Sequence, residues 1–216
     1  MNLMTGIIIA SARTRDKFPN LFAGTAIRAE WRETPEAPAA HEASDFVLDL
    51  DFHPGRIAAL SALKTPLILI NAVSTTLQGM DDLDDRFVRI NAWNTFLQRP
   101  LAEIVARPGQ ADKAAAWCAA AGKTPEFLED LPGMPGARIV SMIINEAYLA
   151  LGDGVSTRED IDTAMRLGTN YPLGPFEWGS RIGLSAVTDL LETLAKENPI
   201  YETAPLLKQE AHVPVA

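Results

Sequence analysis

Short apolar runs with the composition of β-strands recur through the first half of the chain. They are Gly6–Ala10, Thr25–Trp31, Phe46–Leu50, Leu67–Ile70 and Phe87–Ile90. Between the third and fourth runs, Gly55–Lys64 places its apolar residues at helical spacing. A strand, helix, strand order favours a parallel sheet with crossover helices. The pattern therefore predicts an α/β fold for this part of the chain.

After Glu103–Val105 the pattern becomes helical. The predicted helices are Gln110–Ala121, which stops at Gly122, and then Arg138–Leu151, Arg158–Leu167, Pro175–Trp178 and Leu184–Ala195. Arg138–Leu151 is apolar on nearly all sides, as is typical of a helix that is covered on both flanks. Two Pro-Gly pairs in Leu131–Gly136 predict a boundary between an α/β domain, residues 1–131, and a helical domain, residues 132–216.

Two local features refine these elements. Ser156 and Glu159 have the spacing of a capping box, so we expect Ser156 to cap the helix that begins at Arg158. Thr34–Ala43 is rich in proline and alanine and is interpreted as a solvated loop.

Composition narrows the class of protein. The chain has 216 residues, is 47% hydrophobic and carries a net charge of −9. It has no dense run of lysine and arginine, which argues against a nucleic-acid binder. No apolar run approaches the roughly 20 residues that span a bilayer, and Met1–Ala12 has no basic segment before its apolar run. We therefore expect a cytoplasmic protein that binds neither nucleic acid nor membrane.

Metal and disulfide chemistry are also disfavoured by the sequence. Cys118 is the single cysteine, so it has no partner for an intrachain disulfide or a thiolate metal site. His41, His53 and His212 are scattered without the spacing of metal ligands. We expect no metal site, and we interpret Cys118 as a small packed residue.

The first strand-to-helix turn bears on nucleotide binding. A Rossmann dinucleotide site needs the pattern G-x-G-x-x-G there, because side chains would keep the pyrophosphate away from the helix. The chain instead has Ser11–Asp16, which contains no glycine, and Gly6–Asp45 leaves room for one βαβ unit of about 30 residues. Glu30, which ends the second strand, is the single candidate for a ribose-binding acid.

A long motif in the helical half points to a family. Asp160–Trp178 reads DIDTAMRLGTNYPLGPFEW and strongly resembles the C-terminal helical domain of the 3-hydroxyacyl-CoA dehydrogenase family. Arg86–Val105 and Gly122–Pro125 extend the resemblance, which continues weakly back to about Asp45 and does not include Met1–Ala43. The resemblance implies a truncated Rossmann-like domain followed by a helical domain that covers the acyl-CoA cleft and mediates dimerisation.

The resemblance also implies a reaction, the reversible transfer of hydride between NAD and the C3 carbinol of a 3-hydroxyacyl-CoA. The glutamate that orients the catalytic histidine corresponds to Glu103, and the histidine itself corresponds to Asn91. The serine that bonds the reacting oxygen corresponds to Thr75. The asparagine with the same task corresponds to Ala137, so two of the four roles are lost.

Other residues are candidates for binding the substrate. By resemblance these are Asn94 and Arg138, and His53 joins them because it follows the strand Phe46–Leu50 at the edge where α/β sheets bind ligands. The net negative charge of the chain does not attract the phosphates of CoA. Local cations would therefore have to bind them, and the candidates are Arg56, Lys64 and Arg138.

Two functions remain open at this point. An amide does not accept a proton near neutral pH, and the loss of a positioned general base costs about 10²–10⁴ in rate. The first hypothesis is a homodimeric dehydrogenase of fatty-acid metabolism with impaired activity, in which Glu103 and Thr75 survive and Glu103 or His53 replaces the base. The second is a non-catalytic subunit that binds an acyl-CoA thioester or a partner and has lost NAD binding.

Overall fold

The computed structural model describes residues 3–35 and 44–212. Within the predicted loop Thr34–Ala43, residues 36–43 lie outside the described residues. The chain divides into two compact units, Met1–Leu131 and Pro132–Ala216. No helix of the described residues is long and apolar enough to cross a membrane.

The first unit is built on a sheet of seven strands. In chain order they are β1 Met4–Ile9, β2 Ile27–Arg32, β3 Phe46–Asp49, β4 Ile68–Ile70, β5 Phe87–Ile90, β6 Leu101–Val105 and β7 Thr124–Phe127. Their spatial order is β2-β1-β3-β4-β5-β6-β7. Strands β1 to β5 are parallel, and β6 pairs antiparallel with β5 and parallel with β7. The predicted α/β fold with a parallel sheet is confirmed for β1 to β5, while strands β6 and β7 and the reversed direction of β6 were not predicted.

The core explains why the central strands are mostly apolar. All four residues of β3 and all three of β4 are buried, as expected for parallel strands that are covered on both faces. On one face, Trp117 is fully buried and packs edge to face against Phe22 and Phe46. Cys118 is buried in the same cluster, and burial raises the pKa of its thiol to about 12, in keeping with its interpretation as a packed residue.

Three helices accompany the sheet, namely α1 Ala12–Asp16, α2 Ile57–Ser61 and α3 Ala111–Ala120. The predicted helix over Gly55–Lys64 is shorter, a 3₁₀ turn at Pro54–Arg56 followed by α2. Arg86 gives a reason for the early end. Its guanidinium donates hydrogen bonds of 2.6 Å to the carbonyl oxygens of both Ser61 and Leu63, at the point where the helix would continue.

The second unit is helical, as predicted. Its helices are α4 Pro135–Gly152, α5 Arg158–Thr169, α6 Pro175–Ile182, α7 Leu184–Ala195 and α8 Pro205–Ala211. Helix α8 was not predicted. The predicted cap of α5 is wrong by one residue, because Thr157 and not Ser156 accepts the N–H of Asp160, at 3.2 Å, and donates its hydroxyl to the Asp160 carboxylate at 2.8 Å.

Asp162 joins two of these helices. Its carboxylate, which projects from α5, accepts the backbone N–H groups of Phe176 at 2.8 Å and Glu177 at 3.2 Å, in the first turn of α6. Asp162 therefore caps a helix that is distant in sequence. Gly174 makes the contact possible, because a Cβ atom at this position would lie 2.2 Å from Cγ of Asp162.

We expect Gly174→Ala to destabilise the second unit by about 1–3 kcal/mol, because the new methyl group must displace the capping carboxylate. The matched control is Gly168→Ala in α5, where a Cβ atom would meet nothing within 4 Å. That control should be neutral or stabilising by up to about 1 kcal/mol through helix propensity. Urea denaturation followed by circular dichroism measures both, and equal effects of the two substitutions would contradict the assigned role of Gly174.

Candidate functional site

Asn71 ties together the carboxyl ends of three parallel strands. Its amide Nδ2 donates to the carbonyl of Leu50, which follows β3, at 3.1 Å, and its Oδ1 accepts the N–H of Ala92, which follows β5, at 3.1 Å. Asn71 itself directly follows β4. The carboxyl edge, where α/β sheets bind ligands, is thus a connected set of loops.

Asn91 and Glu103 meet at this edge, as the resemblance implies. Asn91 follows β5 and is 3% exposed, and its Nδ2 donates to Oε2 of Glu103 at 2.7 Å. The antiparallel pairing of β5 and β6 sets this contact, since the N–H of Asn91 also donates to the carbonyl of Glu103 at 3.1 Å. The Oδ1 of Asn91 accepts the N–H of Trp93 at 3.3 Å. The side chain is therefore held at both ends, and it offers no basic nitrogen to a substrate hydroxyl.

Thr75 lies in the loop that follows β4, and Arg89 holds that loop. The fully buried guanidinium of Arg89 donates to the carbonyl oxygens of Ala72 at 2.8 Å and Val73 at 3.0 Å. It also forms an ion pair of 2.5 Å with Asp130. Asp130 in turn accepts the N–H groups of Leu77 and Gln78 at 3.0 and 2.9 Å, so the loop is fixed before and after Thr75.

The pair of Arg89 and Asp130 is costly to bury and therefore needs all of its hydrogen bonds. Burial lowers the pKa of the Arg89 guanidinium, and the hydrogen bond and charge of Asp130 oppose this effect. Removing one partner of a buried pair typically costs about 3–5 kcal/mol, because the other charge is left uncompensated. The position of Thr75 thus depends on the ion pair between Arg89 and Asp130.

A second buried carboxylate lies at the end of β3. Asp49 is fully buried, and its Oδ1 accepts hydrogen bonds from Arg56 at 2.9 Å and from the N–H of Asp51 at 3.0 Å. Its Oδ2 has no hydrogen-bond partner in the described part of the chain. Burial raises the pKa of Asp49 to about 6, although the Arg56 charge acts in the opposite direction. We expected Arg56 to bind a phosphate of CoA. In the structure its guanidinium is paired with the Asp49 carboxylate instead.

The first strand-to-helix turn is held by Asp51. The Asp51 carboxylate accepts the N–H of Ser11 at 2.6 Å and the hydroxyl of Thr14 at 2.5 Å. The Ser11 hydroxyl caps α1 by accepting the N–H of Thr14 at 3.3 Å. Burial opposes ionisation of Asp51, but the hydrogen bonds from Thr14 and Ser11 outweigh it and lower the pKa of this carboxyl. The Asp51 carboxylate therefore accepts the hydrogen bonds that Ser11 and Thr14 donate in this turn.

Glu30 lies on the edge strand β2. Its side chain is 58% exposed and pairs with the neighbouring Arg32 at 2.9 Å, and the hydrogen bond from Arg32 lowers the pKa of Glu30. An open groove of about 280 Å³ lies here, with Glu30, Arg28 and Arg32 on one side and Thr5 and Ile7 on the other. Glu30 is thus accessible, and its carboxylate already has a cationic partner.

The remaining candidates are dispersed. His53 and Lys64 are exposed, and Asn94 is half-buried in the chain that follows β5. Arg138, in the helical unit, donates to the carbonyl of Pro132 at 2.7 Å and lies over the Tyr201 ring. Within the α/β unit, the structure brings together Asn91 with Glu103 and Arg56 with Asp49. His53 contacts the second pair through its backbone, since its carbonyl accepts the N–H of Arg56 at 2.9 Å.

Several residues that organise the edge escaped the sequence patterns, namely Asp49, Asp51, Asn71, Arg89 and Asp130. The sequence could have indicated two of them, Asp49 and Arg89, because they are charged residues inside runs that are otherwise apolar. A charge at such a position is either exposed or paired, and burial next to apolar neighbours favours pairing. Their partners are distant in sequence, so no spacing rule indicates them.

Comparison with known proteins gives independent information on each unit. Residues 133–213 match the family model described as 3-hydroxyacyl-CoA dehydrogenase, C-terminal domain. The 3-hydroxyadipyl-CoA dehydrogenase of Escherichia coli K12 is 49% identical over 92 residues, which make up 42% of this chain and 19% of that protein. The human mitochondrial hydroxyacyl-coenzyme A dehydrogenase is 30% identical over 142 residues, or 62% of this chain and 45% of that protein. The chain therefore spans less than half the length of these relatives.

Solved structures share the fold of the whole chain. The (S)-3-hydroxybutyryl-CoA dehydrogenase PaaH1 from Ralstonia eutropha superposes with a TM-score of 0.68 at 20% identity, and covers 97% of this chain and 93% of its own. FadB2 of M. tuberculosis superposes with a TM-score of 0.72 at 14% identity, and covers 96% and 93%. At these identities the likeness concerns the fold.

We expect the buried Asp49 to make stability depend on pH. Its folded-state pKa of about 6 exceeds the usual value of about 4, so the folded state loses stability as pH rises from about 4 to about 6. Asp49→Asn removes this titration. The free energy of unfolding of the wild type, relative to that of the variant, should therefore fall by up to about 3 kcal/mol between pH 4 and pH 7. Urea denaturation across this range measures the difference, and parallel profiles would contradict the assignment.

Proposed function

We propose that this chain, whose residues 133–213 match the C-terminal domain of the 3-hydroxyacyl-CoA dehydrogenase family, binds a 3-hydroxyacyl-CoA or 3-ketoacyl-CoA thioester in acyl-CoA metabolism and that its hydride-transfer activity is impaired. The family supplies the substrate class and NAD as the expected cofactor. The impairment follows from the residues of the α/β unit.

The observation that carries the proposal is the contact between Asn91 and Glu103. In the resemblance, Asn91 stands where the family has the histidine that takes the hydroxyl proton. The Asn91 amide donates to the Glu103 carboxylate at 2.7 Å, so the pair keeps the geometry of a base and its orienting acid. It lacks the group that could accept a proton, because an amide nitrogen is not basic near neutral pH. The arrangement preserves the polar contact between the two positions and removes the acid–base chemistry.

A second candidate function is a non-catalytic subunit that binds acyl-CoA or a partner protein. It is favoured by the first strand-to-helix turn, where no glycine is present and the Asp51 carboxylate already accepts from Ser11 and Thr14. These residues do not fit the pyrophosphate of NAD, which needs a close approach to an unoccupied turn.

Acetoacetyl-CoA and NADH separate the two functions. We expect calorimetry to detect acetoacetyl-CoA binding to the full chain, and absorbance to detect no consumption of NADH by the wild type. Asn91→His restores a base beside Glu103, whereas the matched control Asn91→Gln keeps an amide. An increase in rate of about 10²–10⁴ for Asn91→His alone would support the impaired dehydrogenase.

The other outcomes are equally informative. Binding of acetoacetyl-CoA without turnover in any of the three proteins would favour the non-catalytic subunit. A wild-type rate equal to that of Asn91→His would contradict the impairment. The absence of acyl-CoA binding would contradict both functions.

We further propose that the helical unit forms a homodimer through α4. This helix leaves two large apolar residues of its surface uncovered, since Ile139 is 61% exposed and Leu149 is 38% exposed. Sedimentation velocity at low micromolar concentration should show a dimer, and Ile139→Glu should shift it to the monomer. Leu101→Glu, at an exposed apolar position of the α/β unit, is the control that should leave the dimer intact. A wild-type monomer would refute this assembly.

A further inference from the structure

The order of the strands places a ligand crevice between β1 and β3. From β1 the chain moves to β2 on one side, and β3 lies on the other side of β1. The loops that follow β1 and β3 therefore diverge, which is the topological switch point where open α/β sheets bind ligands. In this chain the first of these loops contains Ser11 and the second contains Asp51.

Asp51 bridges the two loops. One carboxylate oxygen accepts the backbone N–H of Ser11 at 2.6 Å, and the other accepts the hydroxyl of Thr14 at 2.5 Å. A backbone N–H and a hydroxyl at the start of a helix are the donors that a phosphate takes in such a crevice. The hydrogen bonds lower the pKa of Asp51 in spite of its partial burial, so the carboxylate is an anion at neutral pH.

We propose that the Asp51 carboxylate takes the place of a pyrophosphate at the switch point and excludes a dinucleotide from this crevice. Exclusion has two sources. The donors are already satisfied, and an incoming phosphate would meet the like charge of Asp51. The proposal rests on the proposed function only for the choice of NADH as the dinucleotide, since any phosphate anion would meet the same obstacle.

A purely structural role for Asp51 is the competing explanation, and the sheet contains a matched control. Asp45 precedes β3 at the opposite end of the same strand pair, and its carboxylate accepts the N–H of Thr5 at 2.7 Å and the hydroxyl of Thr5 at 3.2 Å. Both aspartates accept one backbone N–H and one hydroxyl, Asp45 from Thr5 in β1 and Asp51 from Ser11 and Thr14, which follow β1. They differ in that Asp51 lies at the carboxyl edge, where the crevice is.

The test compares the binding of NADH and of inorganic phosphate to four forms of the full chain, namely the wild type, Asp51→Asn, Asp51→Ala and Asp45→Asn. NADH binding is measured by calorimetry, and phosphate binding is measured by the rise in Tm. We expect the wild type and Asp45→Asn to bind neither ligand at millimolar concentration. Asp51→Asn and Asp51→Ala should bind both at least about tenfold more tightly than the wild type. Asp51→Asn retains the volume and one acceptor oxygen, so it keeps the turn folded if the alanine variant does not fold.

Two results would overturn the proposal. NADH binding by the wild type at micromolar concentration would show that Asp51 does not exclude the dinucleotide. Equal binding by the wild type and both Asp51 variants would show that the exclusion has another cause. Neither result depends on acyl-CoA, so a failure of the proposed function, seen as absent acetoacetyl-CoA binding, is distinguishable from a failure here.

Discussion

The ion pair of Arg89 and Asp130 is the contact on which the carboxyl edge of the α/β unit depends. Arg89 projects from the centre of β5, where every neighbouring position is buried, and Asp130 is the group that compensates its charge. Their hydrogen bonds extend to both ends of the loop that carries Thr75. Because an uncompensated charge at this depth costs several kcal/mol, the loop and the chain near Asp130 are ordered together.

The polar groups along this edge are largely committed to one another. Asn71 spans three strands, Asn91 holds Glu103, and Arg56 pairs with Asp49. A site that is preorganised for a ligand keeps some donors and acceptors unsatisfied until the ligand binds. Groups that are already hydrogen-bonded within the protein gain little from a ligand. In the described residues the polar side chains of this edge are therefore largely paired with one another, in keeping with the proposed loss of the base at Asn91.

The sequence predicted those parts of the molecule that are encoded in short-range periodicity. The buried strands β3 and β4 are apolar except at Asp49, and α7 has its apolar stripe at helical spacing, so both kinds of element were recognisable. Strand β6 was not predicted, and its direction could not have been, because strand polarity depends on the connection and leaves no mark on the strand itself. The cap of α5 was predicted at the wrong residue because serine and threonine are both favourable caps. The structure has Thr157 and not Ser156 at this position. The pairing of Asp162 with the distant first turn of α6 likewise has no local signature.

The contact of Asp51 with Ser11 and Thr14 stabilises the first strand-to-helix turn with groups of the chain itself. A protein that binds a soluble cofactor gains stability in proportion to the logarithm of the cofactor concentration, and it loses that stability when the cofactor is depleted. A carboxylate of the same chain is present at a fixed effective concentration. Its hydrogen bonds therefore stabilise the turn whatever the concentration of a soluble ligand. Under the proposed exclusion of the dinucleotide, the stability of the α/β unit would not depend on the concentration of the cofactor or on its redox state.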